Sequence, residues 1–283
     1  MKPYIQTENS FRYYSYVLTY ANDILVMHHD AITPLDHINH FFNMKPESME
    51  DPDIYLEDKI RKCTMNNGVK CWSILSSKYK QEAVLNVKAQ WQKTYPGQKW
   101  LQQAATIFIK DYLPGLDKSE ELNPVEANYY QSLIGIVRWM IKIGRIDMIT
   151  EVSLLYSYLA NPRRGHLEAV FNIFAFLENN HNARMVFDPT YTEIDMRNFK
   201  TYDWKELYGY GSATEALQPD APITLGNQVD LCLYVDLDQA GDKSTRRSRT
   251  GYFIFLNINP IIWFYKRQLT VETSVFGAEF VAM

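Results

Sequence analysis

The chain has 283 residues, 46% of them hydrophobic and 22% charged, with 12 Gly and 12 Pro. This ordinary globular usage excludes a mainly disordered chain, and the length suffices for two modest domains with separate cores. The formal net charge of -4 argues against a protein that grips nucleic acid with its whole surface.

The first predicted element is a β-hairpin over residues 14–27, YSYVLTYANDILVM, in which two apolar runs flank a polar Asn22-Asp23 pair. A second pair of short strands is predicted for IYLEDKIRKCTM and VKCWSIL. These two runs are joined at Asn66-Asn67-Gly68, where Asn and Gly tolerate the positive backbone angles of a tight turn.

A helix is predicted to begin at Ser76, because apolar residues recur on one face at helical spacing. That face comprises Tyr79, Ala83, Val84, Val87 and Trp91. Lys80 and the other polar residues of the segment are expected to lie mostly elsewhere. Residues 95–123 contain two Pro-Gly pairs and a charged stretch, DKSEELNP, which indicate an irregular connection.

Three further helices are predicted next. The first starts at Asn123-Pro124-Val125-Glu126, which supplies an N-cap, a proline at the first helical position and a glutamate three residues after the cap, and it ends at Gly144. The others span about 147–160 and 165–178. The buried stripe of the last comprises Leu167, Val170, Phe171, Phe174 and Leu177.

The pattern then changes to a short strand, ARMVF, and an aromatic, turn-rich linker that extends to about residue 226. Three strand candidates follow closely: DLCLYVDLD, TGYFIFLN and PIIWFYKRQ. Together they predict an antiparallel meander. The chain then enters a helix, SVFGAEFVAM.

Charge is unevenly distributed along the chain. Residues 1–60 hold ten acidic against four basic residues, whereas residues 239–268 hold six basic residues against Asp242 alone. Guanidinium groups suit phosphate oxygens, so nucleic acid is expected to bind there, weakly and with strong dependence on salt. A solvated loop is the alternative. The six basic residues are Lys243, Arg246, Arg247, Arg249, Lys266 and Arg267.

The three cysteines, Cys63, Cys71 and Cys232, are odd in number and lack CxxC spacing. They support neither a disulfide framework nor a cysteine-rich zinc site, and they fit a reducing compartment. The most apolar stretch, LIGIVRWMIKIG, is interrupted by Arg138 and Lys142, and the first residues are too polar for a signal peptide. We therefore expect no membrane segment and an intracellular location, cytoplasmic or nuclear.

Several of these segments carry a resemblance to one family. YVLTYANDILV resembles the YVDD hairpin of copia-type reverse transcriptases, and NGVKCWSILSSKYKQEAVLNV resembles the segment that follows it. YYQSLIGIVRW and SYLANPRRGHLEAVFNIFAFL resemble the helical segment leading to their ribonuclease H. YVDLDQAGDKSTRRSRTGYFIFLN and WFYKRQLTVETSVFGAEFVAM resemble the opening of that ribonuclease H motif by motif. The resemblance covers most of residues 14–88, 124–188 and 229–283.

This resemblance implies an α+β fold from a copia-type retrotransposon Pol polyprotein. Residues 1–122 would form part of a reverse transcriptase palm with its hairpins, and 123–180 a helical, thumb- or connection-like segment. Residues 181–226 would be a linker. Residues 227–283 would form a truncated ribonuclease H-like domain, an antiparallel three-stranded sheet with the start of a helix.

The resemblance also implies metal-binding carboxylates. Asp23, Asp236 and Glu279 match acids that hold catalytic Mg²⁺ in the family, but Asn22 replaces the first aspartate of the hairpin pair. A third palm acid would lie upstream of the hairpin, and two ribonuclease H acids beyond Met283. We therefore expect Mg²⁺ not to bind tightly and this chain to be catalytically inactive.

Two alternatives remain open. The chain could be an active RNA-directed DNA polymerase and ribonuclease H within a longer or multi-chain assembly, with other Pol fragments as partners and an RNA/DNA hybrid as substrate. It could instead be a weak nucleic-acid-binding module. The basic loop is the only sequence feature that supports this alternative.

Smaller departures qualify the match. Glu57 stands where the family has Gly in a turn near the primer, and Asp238 and Asp242 are interpreted as structural or loop residues. Leu237 and Gln239 also differ from the residue types usual there. Zinc binding by the histidine pairs is given little weight, because no closing Cys or His cluster accompanies them. The residues concerned are His28, His29, Asp30, His37 and His40.

Overall fold

The computed structural model describes residues 4–8, 11–21, 23–45, 49, 51–56, 58–101, 104–191, 193, 205–206, 209, 218–221 and 229–283. The fold is mixed α and β with antiparallel sheets, as predicted. Contacts divide the chain into two compact units, Met1–Pro52 with Tyr191–Val229, and Asp53–Thr190 with Asp230–Met283.

The first unit contains a three-stranded antiparallel sheet, β1 (Tyr4–Glu8), β2 (Phe11–Tyr20) and β3 (Asp23–Met27), followed by helix α1 (Ile32–Phe42). The predicted hairpin over 14–27 is confirmed, because Tyr20 lies opposite Asp23 across a two-residue turn. Ala21 in that turn has φ of 48°, and positive φ is what the tightest hairpin turns require.

The second unit begins with a four-stranded antiparallel sheet in the order β4 (Ile54–Tyr55), β5 (Asp58–Thr64), β6 (Lys70–Leu75) and β7 (Met185–Phe187). The predicted strand pair and its turn are confirmed, with Gly68 at φ of 84°. The first predicted strand is, however, broken into β4 and β5 after Leu56, which has φ of 54°. Glu57 lies outside the described residues.

Strand β7 confirms the short strand predicted within ARMVF. Phe187 lies opposite Trp72 of β6, and residues 185–187 form an edge strand of the sheet. The Asp188 backbone N–H also donates to Asn259 Oδ1 at 2.6 Å. The partners of β7 and Asp188 are more than 70 residues away in the sequence, so no local pattern could indicate them.

The helices of this unit are α2 (Ser77–Thr94), α3 (Pro124–Lys142), α4 (Ile149–Tyr156) and α5 (Arg164–Asn179). Residues between α2 and α3 form the predicted irregular connection around a 3-10 turn at Pro114–Leu116. Helix α4 is shorter than predicted, because a separate 3-10 turn, Ile146–Met148, precedes it. Among the helices in the described ranges, none is both long and apolar enough to cross a membrane.

The start of α3 follows from local sequence. Asn123 Oδ1 accepts hydrogen bonds from the N–H groups of Val125 and Glu126, each at 3.0 Å, and Glu126 Oε2 accepts from the Asn123 N–H at 3.3 Å. This capping box satisfies donors that the first helical turn otherwise leaves without partners. The predicted helix start is therefore confirmed.

The core of the second unit lies between these helices. Every residue of the stripe predicted for α5 is buried, and Phe174 and Leu177 are fully so. Phe171 packs edge-on against Trp91 of α2, with ring centroids 4.8 Å apart. Further rings surround it within 6.5 Å; they belong to Tyr95, Trp100 and Tyr129. Aromatic packing thus joins α2, α5 and the irregular connection.

Lys80 departs from its predicted position on α2. Its side chain is only 1% exposed and lies on the buried face with Ala83 and Val84. The ammonium group donates to the Ala183 carbonyl at 3.1 Å. Burial lowers the pKa of Lys80 to about 8, and the nearby Arg145 adds to this effect. Helical spacing alone did not predict that Lys80 is buried, because its hydrogen-bond acceptor, the Ala183 carbonyl, is remote in the sequence.

The C-terminal part of the second unit is the predicted antiparallel meander. Strands β8 (Leu231–Asp238), β9 (Arg249–Leu256) and β10 (Asn259–Arg267) lie in the order β10-β9-β8, and helix α6 (Val275–Ala282) follows. The sheet is fastened to the helices by Trp263 Nε1, which donates to the Ile141 carbonyl at 3.1 Å. Ser153 Oγ of α4 donates to the Tyr265 carbonyl at 2.9 Å.

Candidate functional site

Asp23 is the first residue of β3, at the tip of the hairpin in the first unit. Its side chain is half-buried. Asn22, which replaces an aspartate of the family pair, lies outside the described residues. Asp236 and Glu279 belong to the second unit.

Asp236 is an exposed residue of β8 that lies opposite Gly251 of β9, and Gly251 in turn lies opposite Tyr265 of β10. Residues directly opposite one another project from the same face of an antiparallel sheet. Burial raises the pKa of the Tyr265 hydroxyl; the Arg249 charge opposes this effect, and the charges of Asp238, Glu151 and Asp236 add to it. Asp236 therefore shares the face of the sheet that packs against α4.

Glu279 is exposed on α6. The fully buried Ala278 beside it accepts a hydrogen bond through its carbonyl from Gln268 Nε2, which also contacts Thr250 Oγ1, each at 3.0 Å. Thr250 is the neighbour of Gly251, so its side chain projects from the opposite face to Asp236. The Gln268 side chain, which connects Thr250 to α6, therefore lies on the face opposite to Asp236.

Across the described ranges, no group of three or more His, Cys, Asp or Glu side chains is placed to hold a metal ion. Two-metal phosphoryl chemistry needs several carboxylates that converge on cations about 3.5 to 4 Å apart. The donor set of Asp236 and Glu279 does not fit that requirement.

The histidine pairs lie in the first unit. The His28 ring contacts the backbone of Asp30, whose N–H donates to Nδ1 at 3.1 Å. The rings of His37 and His40 lie edge-on against Phe41, with centroids 5.5 and 5.1 Å apart. These histidines make local contacts on and next to α1.

Asp242 organises the basic loop. Its buried carboxylate accepts hydrogen bonds from Ser244 Oγ at 2.6 Å and from the Thr245 N–H at 3.1 Å, and it pairs with Arg267 Nη1 at 2.7 Å. Burial alone would raise the pKa of Asp242, but these hydrogen bonds hold it well below its usual range. The carboxylate of Asp238 occupies the space that a Cβ on Gly241 would need. Both aspartates therefore have structural contacts in this loop.

The six basic residues do not form one surface. Arg249 is only 1% exposed and extends to the serines of α4, with Nη2 3.2 Å from Ser157 Oγ. Its side chain therefore belongs to the contact between β9 and α4 and not to the exposed part of the loop. Arg267 is held by Asp242. Lys243, Arg246 and Lys266 are exposed and Arg247 is half-buried. Alternation along β9 carries Arg249 inward, a consequence that charge counting could not reveal.

Two buried polar residues were missed. Arg145, 1% exposed, forms a bidentate pair with Asp147 at 2.8 and 2.7 Å and donates to the Asn180 carbonyl at 2.7 Å. His166, also 1% exposed, stacks on Tyr158 and is 3.0 Å from the Pro114 carbonyl, and burial lowers its pKa. For Arg145, the Arg-x-Asp spacing directly after Gly144 is the one local sequence signal that could have indicated the buried pair with Asp147.

The described residues define a mixed α and β protein with a partly exposed basic loop. Comparisons found no matching family model and no matching solved structure. The chain is 26% identical over 153 residues to the "Retrovirus-related Pol polyprotein from transposon TNT 1-94" of Nicotiana tabacum, a match covering 54% of this chain and 9% of that protein. It is 24% identical over 151 residues to the corresponding polyprotein from transposon RE1 of Arabidopsis thaliana, covering 53% and 8%.

A third relative is a much shorter protein. The chain is 23% identical over 154 residues to "Secreted RxLR effector protein 161" of Plasmopara viticola, covering 54% of this chain and 83% of that protein. The chain is thus similar over about half its length to retrovirus-related Pol polyproteins of plant transposons. It spans less than a tenth of the length of these two polyproteins.

Proposed function

We propose that this chain derives from a copia-type transposon Pol polyprotein and corresponds to parts of a reverse transcriptase palm, a helical connection and a ribonuclease H domain. Three features support this: the similarity to two plant transposon polyproteins, the hairpin with Asp23 at its tip, and the meander followed by a helix that carries Glu279. The order of these elements along the chain follows the order of the resembling motifs.

The same proposal holds that this chain by itself carries out no metal-dependent phosphoryl transfer. The observation that supports this part is that Asp236 lies on one face of the sheet, whereas the contact of α6 through Gln268 to Thr250 lies on the other. A cation bound by one carboxylate would retain most of its water and would lack the charge neutralisation that the reaction needs. Asn22 also supports this part, because it brings no negative charge where the family has an aspartate.

Incubation of the purified chain with an RNA–DNA hybrid and Mg²⁺ or Mn²⁺ is expected to give no cleavage above a protein-free control. Asp236→Asn is expected to change nothing, and calorimetric titration should show no stoichiometric binding of either ion. The matched control is Glu82→Gln, which alters a carboxylate on the exposed face of α2. Metal-dependent cleavage that Asp236→Asn abolishes and Glu82→Gln preserves would establish the alternative, an active enzyme.

The basic loop supports a second candidate function, weak binding of nucleic acid without sequence preference. Lys243, Arg246 and Lys266 are exposed, and Arg247, which follows Arg246 in sequence, is half-buried. The Ser244 and Thr245 N–H groups donate to Asp242 and so fix the backbone of this loop. Less backbone entropy is therefore lost when the loop binds a phosphate chain. With so few cations, binding should be weak and dominated by counterion release.

This candidate predicts a measurable salt dependence. Fluorescence anisotropy with a labelled single-stranded oligonucleotide at about 50 and 200 mM salt should show weaker binding at the higher concentration. Arg246→Ala with Arg247→Ala is expected to flatten the slope of log affinity against log salt by about two, roughly one for each lost contact. Lys78→Ala with Lys118→Ala removes the same charge from exposed sites elsewhere and should have little effect. Equal affinity in both double variants would contradict the proposal.

The effector relative bears on the polyprotein proposal. Its matched region makes up 83% of its length, so a segment of this kind occurs as a protein in its own right. This supports the proposal that the matched segment can exist as a protein without the remaining Pol domains.

A further inference from the structure

Cys63 and Cys71 lie directly opposite each other on the neighbouring antiparallel strands β5 and β6. Both are free thiols; Cys63 is half-buried and Cys71 is buried. Directly opposed residues project from the same face of a sheet, so the two sulfurs extend from one face. The odd cysteine count had argued against a disulfide framework, but the strand register brings these two together.

The spacing of this pair follows from the ladder. The Met65 N–H donates to the Val69 carbonyl at 2.8 Å, which identifies 65 and 69 as a hydrogen-bonded pair. Such pairs alternate with non-hydrogen-bonded ones, so Cys63 and Cys71, two positions further along each strand, form a pair of the same kind. Their Cα atoms are then about 5.5 Å apart, within the range of about 4.4 to 6.8 Å found in disulfides.

We propose that Cys63 and Cys71 form a reversible cross-strand disulfide when the chain meets a small-molecule disulfide such as oxidised glutathione. This modification site is independent of the proposed polyprotein origin and of nucleic-acid binding. The bond would close a nine-residue loop, 63–71, around the Asn-Asn-Gly turn. It would staple β5 to β6, which are the two central strands of the four-stranded sheet.

Formation of the bond proceeds by two exchange steps. The more exposed Cys63 attacks as the thiolate, breaks the S–S bond of oxidised glutathione and forms a mixed disulfide, releasing one glutathione thiolate. Cys71 then attacks the Cys63 sulfur and releases the second glutathione thiolate. Two protein thiols are oxidised, one glutathione disulfide is reduced, and the two protons from the cysteines end on the two glutathione thiols.

The second step should limit the rate. Burial raises the pKa of the Cys71 thiol, and the nearby Asp188 and Cys63 raise it further. Because the thiolate is the nucleophile, ring closure should accelerate as pH rises from about 7 toward the pKa of an ordinary thiol near 8.5 and beyond. The bond should also remain reducible, since opposed residues at this spacing have Cβ atoms about 4.5 to 5.5 Å apart, wider than the mean of about 3.8 Å in disulfides.

The test uses the full chain at low concentration, titrated with oxidised glutathione, alkylated, and digested without reduction. The expected result is loss of two of the three alkylatable thiols, an intact mass lower by two hydrogens, and a linkage between Cys63 and Cys71 in the peptide map. Dithiothreitol should restore all three thiols. Recovery of Cys63 and Cys71 in alkylated form, or their linkage to Cys232 or to another chain instead, would overturn the proposal.

Variants sharpen the test. Cys232→Ser should leave the reaction unchanged, whereas Cys63→Ser and Cys71→Ser should each stop it before an internal bond forms. Because Cys71 is buried, the peptide map of the unaltered chain decides the matter if Cys71→Ser unfolds. An internal bond that persists in Cys63→Ser would contradict the assignment.

Discussion

Replacement of Phe171 by alanine is expected to lower the free energy of unfolding of the second unit by about 4 kcal/mol. The ring is 2% exposed and lies among four other aromatic rings, the nearest of which is Trp91. Truncation removes the buried apolar surface and leaves a cavity that rigid rings on several sides cannot fill. Loss of the edge-on contacts adds to the cost.

Urea unfolding followed by tryptophan fluorescence measures this effect, because Trp91 and Trp100 belong to the same cluster. The matched control is Phe276→Ala in α6, where the ring is 81% exposed and the change should be within about 0.5 kcal/mol. A loss of less than about 1 kcal/mol for Phe171→Ala would show that the cluster is not the packed core described above.

Replacement of Arg145 by alanine is expected to cost about 3 kcal/mol. The guanidinium is almost wholly buried and satisfies both Asp147 and the Asn180 carbonyl, which is the C-cap of α5. Its removal leaves a buried carbonyl without its donor and a carboxylate without its partner. The cost falls at the low end for a broken buried pair because the Asp147 side chain is 44% exposed.

The variant Arg145→Lys distinguishes the contribution of the positive charge from that of the planar guanidinium contact. Lysine keeps the positive charge but cannot form the planar bidentate contact, so it should recover only part of the lost stability. Lys78→Ala is the surface control, since it breaks the exposed 3.8 Å pair with Glu82 and should cost less than about 0.5 kcal/mol. If the two alanine variants unfolded at the same urea concentration, the buried network would not stabilise the fold.

Local signals predicted most of the secondary structure. The alternating hairpin residues, the turn at Gly68 and the capping box at Asn123 each depend on residues within four positions of one another. Helix α4 was predicted too long because a separate 3-10 turn occupies Ile146–Met148 and the helix ends at Tyr156.

The candidate site was predicted less completely. Asp236 and Glu279 were placed on the expected strand and helix, but their faces depend on how α6 packs against the sheet. Counting basic residues indicated a positive loop without revealing that Arg249 faces α4. The pairing of Cys63 with Cys71 could be recognised only after the strand register was known.

The sequence by itself determined the order and type of most elements, because backbone preferences, capping and hydrophobic periodicity act over a few residues. Strand β1 and helix α1 were not predicted. The tertiary structure alone decided which polar side chains are buried and which carboxylates meet. Contacts such as Lys80 with Ala183, or Arg249 with Ser157, join residues about a hundred positions apart. Such contacts arise because a buried polar group must find a partner wherever packing brings one, and no short stretch of sequence records where that is.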